Sequence, residues 1–391
     1  MSRSFDTRPP PGLSHNLVRG LIVVGACYHD TIYTVPQYPE EDGKLRASSV
    51  ERRAGGNGTN TLRVLTQLLH HPASRIRVQT LHMLSVVPRQ SWVVELARSL
   101  APWVDMMRSI TREQEDGESH SIVIRSQATG TRTIVNHRNL DEMTVDEFAR
   151  CVDDIFTVIP PGPNPPYYGN AWHVHFEGRI PDVTLQYIQH LRSSYAREMI
   201  TTSVEVEKPK RPGLAELADI VDVVFYSRSW AVAEGYRSAR ECLEAVAPTV
   251  EAQTLFCTWG GEASAMLAKG LGQVVTVTPK PIEENGIVDA VGAGDTFNAG
   301  ILYMLLDSSP ITSVSRCEEM LKFANRLAWL KLHKDGFVGL GDLVFEDNGH
   351  TNGHTNGTGH TGTNGQIGTD GHTGVIGHTN GNTSDDPYDG Q

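Results

Sequence analysis

The chain has 391 residues, 39% hydrophobic and 20% charged, with a formal net charge of −12 at pH 7. That composition supports a large buried core, and an acidic balance with no offsetting basic stretch argues against nucleic acid or an anionic membrane as a partner. Five scattered cysteines without a C-x-x-C pair suggest neither a disulfide framework nor a zinc site. With no signal-like apolar region and no apolar run long enough to cross a bilayer, a cytoplasmic protein with reduced thiols is expected.

Residues 1–19 are Pro- and polar-rich and are expected to be disordered, and the domain is expected to run from 20 to 346. It begins with Leu21-Ile22-Val23-Val24, an apolar run suited to a central strand. Polar and β-branched residues interleave over about 28–54 and again over about 119–137, which suggests the strands of a small lid. Helices are predicted near Asn60 to His71, Gln90 to Leu100 and Leu185 to Ala196. Strands are predicted at Val223-Val224-Phe225, Leu255-Phe256-Cys257 and Val274-Val275-Thr276-Val277. This alternation predicts an α/β fold with a mainly parallel sheet covered by helices. Residues 159–170, with five prolines and two glycines, read as a surface loop. Ile287 and Val288 read as the end of a strand that leads into a helix burying Phe297, Ile301, Leu302 and Leu305. The stretch 347–391 repeats Gly-His-Thr and Thr-Asn-Gly and is expected to be a disordered tail, too glycine-rich to preorganise its histidines around a metal.

The most informative stretch is Val288-Asp289-Ala290-Val291-Gly292-Ala293-Gly294-Asp295-Thr296-Phe297-Asn298-Ala299-Gly300. Backbone N–H groups of Gly292, Ala293 and Gly294 are predicted at a helix N-terminus, unpaired and backed by the positive end of the helix dipole, where an anion can bind. Asp295 would project into the same space; read alone, it is equally an N-cap. Gly56, Asn57 and Asn60 offer bare backbone together with side chains that both donate and accept, as sugar hydroxyls require. A glycine-rich turn with an asparagine cap is the alternative reading of those three.

Asp289 to Ala299 resembles the C-terminal signature of the ribokinase-like (PfkB) sugar kinases, and Gly55-Gly56-Asn57-Gly58-Thr59-Asn60 their N-terminal signature. Thr131-Arg132-Thr133-Ile134-Val135, the run Trp172 to Arg179, and the run Ser203 to Pro209 follow the family order and are similar to the ketohexokinase branch. The resemblance covers roughly residues 21 to 340. It implies a three-layer sandwich with a small β-sheet lid and ATP-dependent phosphorylation of a sugar primary hydroxyl, most of all a ketohexose such as fructose at C1. Ribose or a nucleoside as acceptor, and a non-catalytic sugar or nucleotide sensor, remain the alternatives.

Site roles follow from the same resemblance. Asp295 is expected to be the base, with an ordinary aspartate pKa sufficing because the proton leaves late in a loose transition state. Gly292, Ala293 and Gly294 would stabilise the migrating phosphoryl group, assisted by Arg132 and Mg2+. Asp30, placed just after the first strand, would hold sugar hydroxyls beside Gly56, Asn57 and Asn60. Thr258, Gly260, Gly261 and Asn325 would receive the nucleotide, although Ala263 stands where the family's turn has a glycine. The Asn-x-x-Glu motif near magnesium is replaced by Ser227-Arg228-Ser229-Trp230, as in ketohexokinases. Glu205 and Glu207 are read as facing opposite sides of a strand, so that at most one approaches metal-bound phosphate through water. Ala290 stands where the family has threonine, which weakens the case for K+. A homodimer joined through the lid is also expected.

Overall fold

The structure, a computed structural model, describes residues 18–114, 117–158, 172–283, 286–307 and 309–346. The N-terminal segment before residue 18, the Pro-rich loop at 159–170 and the 347–391 tail with its histidines lie outside them.

In chain order the strands are β1 (Val18–Val24), β2 (Tyr28–Val35), β3 (Ser49–Gly55), β4 (Val78–Leu84), β5 (Val86–Pro88), β6 (Val104–Asp105), β7 (Ile110–Arg112), β8 (Ser119–Ser126), β9 (Arg132–Arg138), β10 (Trp172–Glu177), β11 (Ile200–Val206), β12 (Val223–Tyr226), β13 (Thr254–Thr258), β14 (Ser264–Ala268) and β15 (Gln273–Val277). The helices are α1 (Asn57–His70), α2 (Ser91–Leu100), α3 (Val145–Val158), α4 (Pro181–Ser194), α5 (Arg228–Ala233), α6 (Ala239–Val246), α7 (Ala293–Leu305), α8 (Val314–Leu332) and α9 (Leu340–Glu346).

The large sheet runs β15-β14-β13-β12-β11-β10-β1-β4-β6. It is parallel from β6 to β13 and antiparallel only where β14 and β15 close one edge. Its strands are apolar on both faces because helices cover both. In β1, Leu21 and Val23 join one core with Leu62, Leu65, Phe297 and Leu302, while Ile22 and Val24 join the other with Phe148, Val174, Tyr187 and Ile188. All five cysteines are buried and free. Among the described residues no helix is long and apolar enough to cross a membrane.

A separate sheet, β3-β2-β8-β9, holds its own small core of Ile32, Val123 and Val291. On its inner face the strand register sets Arg53, Asp30, Ser121 and Asn136 in one cross-strand row. Tyr33, Val50, Ile122 and Val135 on the outer face are exposed.

One predicted element is absent. Ile287 and Val288 are exposed and belong to no strand; the N–H groups of Val288 and Asp289 bond instead to the Leu332 carbonyl at the end of α8. Their β-branched, apolar character reads as a strand locally, but among the described residues no strand pairs with them, and Ile287 instead lies near Gly130 in the turn between β8 and β9.

Candidate active site

The cleft opens at the carboxyl ends of the parallel strands, where loops leave the sheet and helix N-termini converge. Glu177 ends β10, Glu205 and Glu207 lie at the end of β11, and Thr258 ends β13.

Gly292 caps α7 with φ of +79°, a conformation a side chain resists, and a Cβ there would overlap the Phe337 ring. Gly294 faces open space, with nothing within 4 Å of where a Cβ would stand. The N–H groups of Gly294 and Asp295 have no backbone acceptor among the described residues, whereas that of Ala293 makes a long 3.4 Å bond to the Ala290 carbonyl. The Gly292 N–H likewise has no backbone acceptor among the described residues, so the free donors keep Gly292 and Gly294 of the expected set and add Asp295. Asp295 does not cap the helix: its Oδ2 accepts from Asn60 Nδ2 at 2.8 Å, which points the carboxylate across the cleft toward α1.

Acid is concentrated here. Burial of its carboxylate, then repulsion from Glu205, raises the Asp295 pKa well above the usual aspartate range, and the Asn60 amide partly opposes this. The residue stays partly open to the cleft, so solvent tempers the rise. The base role asks for no more than an ordinary aspartate pKa; burial first, and then the neighbouring carboxylates, raise it above that. Glu205, 3% exposed, is pushed up to about 7 by burial and by Glu207, against the amides of Asn57 and Asn298. Burial likewise raises Glu177, whose Oε2 accepts the Ala26 N–H at 2.8 Å.

Asn57 does not project freely toward a ligand. Its Nδ2 donates to Glu205 Oε2 at 2.7 Å and to Glu207 Oε2 at 3.0 Å. The expectation that the two glutamates point apart is therefore wrong: residues two apart along a strand share a face. Behind Glu205 runs a buried chain of hydrogen bonds, with His175 Nε2 to Glu205 Oε1 at 3.0 Å, His175 Nδ1 to Ser203 Oγ at 2.8 Å, and Ser203 Oγ to His173 Nε2 at 2.7 Å. Burial lowers His173 to about 3 and His175 to about 4, so both rings are neutral near pH 7. With both Glu205 oxygens engaged, direct metal ligation by that residue does not fit. Glu207 is also engaged, its Oε2 by Asn57 and its Oε1 by Lys208 Nζ at 2.6 Å, but it is more exposed than Glu205 and so more open to a contact through water. Among the described residues no group of three His, Cys, Asp or Glu side chains is arranged to hold a metal ion.

Asp30 lies in β2, which begins at the start expected for the lid strands, a few residues after β1 ends. It is 7% exposed, and burial pushes it up to about 6 against Ser121, Arg53 and Arg63. Gly55 is obligatory beside it, since a Cβ would overlap the Asp30 carboxylate, and Gly56 sits at φ +103° against the Ala26 carbonyl. Ser121 and Asn136, which share the Asp30 row, were missed in the sequence; the period-2 register from Asp30 is the signal that identifies them. Arg132 opens β9, exposed, and among the described residues no hydrogen bond or ion pair ties it to Gly292–Asp295.

At the other end of the cleft, Gly260 takes φ of +63° in the turn after Thr258, where the Trp259 N–H bonds to the Ala263 carbonyl at 2.8 Å. Gly261 has nothing within 4 Å of a Cβ. Arg228, unremarked in the sequence as a turn residue, braces this turn through Glu262 at 3.1 Å and stacks over Trp259. Asn325 is buried on α8 and reaches the Val277 carbonyl at 3.5 Å.

Residues 18–338 match the pfkB family carbohydrate kinase profile. The chain is 28% identical over 326 residues to the ketohexokinase of Mus musculus, covering 82% of this chain and 98% of that protein. Its fold is similar to a ribokinase from Giardia lamblia, with TM-score 0.66 and 14% identity over 84% of this chain and 98% of that one. A ribokinase from Arabidopsis thaliana, solved with ribose and ATP, matches with TM-score 0.60 and 17% identity over the same shares. With an anion-ready helix terminus, an acid aimed across it and a family match spanning most of its length, the chain belongs to the pfkB family of carbohydrate kinases.

Proposed function

We propose that the protein transfers the γ-phosphoryl group of ATP to the primary hydroxyl of a sugar, with a ketohexose, fructose giving fructose 1-phosphate, as the preferred acceptor. The observation that carries this reading is the Asn60–Asp295 bond, which sets an acid of raised pKa beside the unpaired N–H groups that begin α7. The sugar oxygen attacks the γ-phosphorus, its proton passes to Asp295 Oδ1, and ADP departs with the electrons of the broken P–O bond. The Gly294 and Asp295 N–H groups receive charge on the migrating phosphoryl oxygens. Asp30, flanked by Ser121 and Asn136, orients the sugar hydroxyls under the small sheet, which as a lid keeps water from competing for the phosphoryl group. Thr258, Gly260, Gly261 and Asn325 line the nucleotide end. Magnesium would arrive with the nucleotide, neutralising phosphate charge, with Glu207 holding one of its waters. The ketohexose preference draws on the similarity to a protein named ketohexokinase. Pairing of two chains would use the apolar outer face of the small sheet.

The test is ADP release from Mg-ATP with a panel of ketoses, pentoses and nucleosides. A ketohexose with the highest kcat/KM is expected. A better ribose or nucleoside would replace the acceptor, and no turnover with any of them would sink the kinase reading in favour of a sensor.

A further inference from the structure

Beneath the anion-binding turn lies a lysine with no exposed surface at all. Lys331, near the end of α8, places Nζ 2.7 Å from Asp289 Oδ2, 3.0 Å from the Asp289 carbonyl and 3.3 Å from the Lys334 carbonyl. Three N–H bonds thus meet three oxygens, and the Phe337 ring closes the remaining side at 5.1 Å. Asp289 passes this on: its Oδ1 accepts the Val291 N–H at 2.9 Å, one residue before the Gly292 cap, and its Oδ2 also takes the Gly336 N–H at 3.2 Å and Arg53 at 3.4 Å. The same Phe337 ring is what bars a side chain at Gly292.

A buried ion pair is a poor source of stability, because desolvating both charges offsets most of their attraction. Its value here is positional. An oxygen shell of one carboxylate and two carbonyls is the donor set a small monovalent cation takes when it sheds water, and in this chain the ammonium already fills it. We propose that Lys331 is a tethered cation that fixes the Asp289–Gly294 turn in its anion-binding shape, so that the protein needs no free monovalent ion at this place. This rests on the kinase reading above for its activity arm, and on cation-specific stability for an arm independent of it.

Lys331 touches neither sugar nor nucleotide in this scheme and acts through Asp289, so its loss is read in kcat more than in the sugar KM. Wild-type turnover should change less than about twofold when KCl replaces tetramethylammonium chloride, a cation too large for the shell. Lys331→Ala, which vacates the shell, should lose on the order of 10²-fold in kcat. It should regain a large part of this with KCl, NH4Cl or methylammonium, and those salts alone should raise its melting temperature. Lys331→Met, which fills the space without charge, should lose the same activity and regain none. Strong activation of the wild type by K+, a Lys331→Met variant with wild-type kcat, or a Lys331→Ala variant indifferent to cation identity in both melting and rate would each overturn the proposal. Should Lys331→Ala fail to fold, the wild-type salt comparison and Lys331→Met still decide it. Should the wild type turn over no acceptor, the cation-specific melting of Lys331→Ala against wild type decides it separately from the kinase reading.

Discussion

Glu205→Gln tests whether the acid cluster at the end of β11 carries the electrostatic strain described above. The folded-state pKa of Glu205 is raised from 4.5 to about 7, so the folded protein holds a proton that the unfolded chain has already released. A raised carboxylate favours folding below its unfolded pKa, and the benefit is lost as pH climbs through the folded value. Linkage between 4.5 and about 7 gives a loss of about 1 kcal/mol between pH 6.5 and 8 from this residue alone. For a domain of this size that is about 2 °C in melting temperature. Below pH 6.5 the buried His173 and His175, lowered to about 3 and 4, push the other way, because the unfolded chain protonates them first. At pH 6.5 the unfolded-state histidines are still about half protonated, so they also act at the start of the pH 6.5–8 window, and it is the comparison with Glu205→Gln that cancels them. Melting curves of ligand-free wild type and Glu205→Gln at constant ionic strength should show the wild type losing about 1 kcal/mol relative to the variant between pH 6.5 and 8. Parallel slopes would refute the claim that Glu205 ionises uphill in the folded state.

Three further outcomes are expected. Asp295→Asn should lower kcat by about two to four orders of magnitude with ATP binding by calorimetry nearly intact, and a variant retaining most of its rate would remove the base role. Asp30→Ala should raise the sugar KM far more than the ATP KM, since the residue lies under the small sheet; equal damage to both would place it elsewhere in the mechanism. Gly292→Ala must adopt φ near +79° and displace the Phe337 ring, so a loss of about 2 kcal/mol or more of stability is expected, and a melting temperature matching the wild type would contradict it.

The layered fold was legible because its signals are local. Leu21-Ile22-Val23-Val24 suits a strand covered on both sides, and Phe297, Ile301 and Leu302 repeat with the helical period. Ile287 and Val288 misled for the converse reason: strand propensity is a side-chain property, whereas a strand needs a neighbour, and here the available partner was the last turn of α8. The residues of the two glycine-rich signatures could be picked out in sequence, but not that Asn60 would hold Asp295 while Asn57 would sit between two glutamates. The direction of each amide is fixed by its partner on another element, Asp295 of α7 for Asn60 and the glutamates at the end of β11 for Asn57. The pKa of Asp295 was illegible for the same reason, since it depends first on burial and then on Glu205. Arg132 shows the limit of transfer by similarity: its place in β9 is clear, but among the described residues no hydrogen bond or ion pair fixes its guanidinium.

The bond between Asn60 and Asp295 joins positions 235 residues apart, and that between Arg53 and Asp289 spans 236. Closing such spans costs chain entropy that is recovered only when α7 and α8 dock, so these contacts form late. A chain emerging from the ribosome therefore has its glycine-rich N-terminal turn long before it has the acid that faces it. Refolding from denaturant should accordingly regain helical signal ahead of catalytic competence, and a partly made chain would offer neither substrate a complete site.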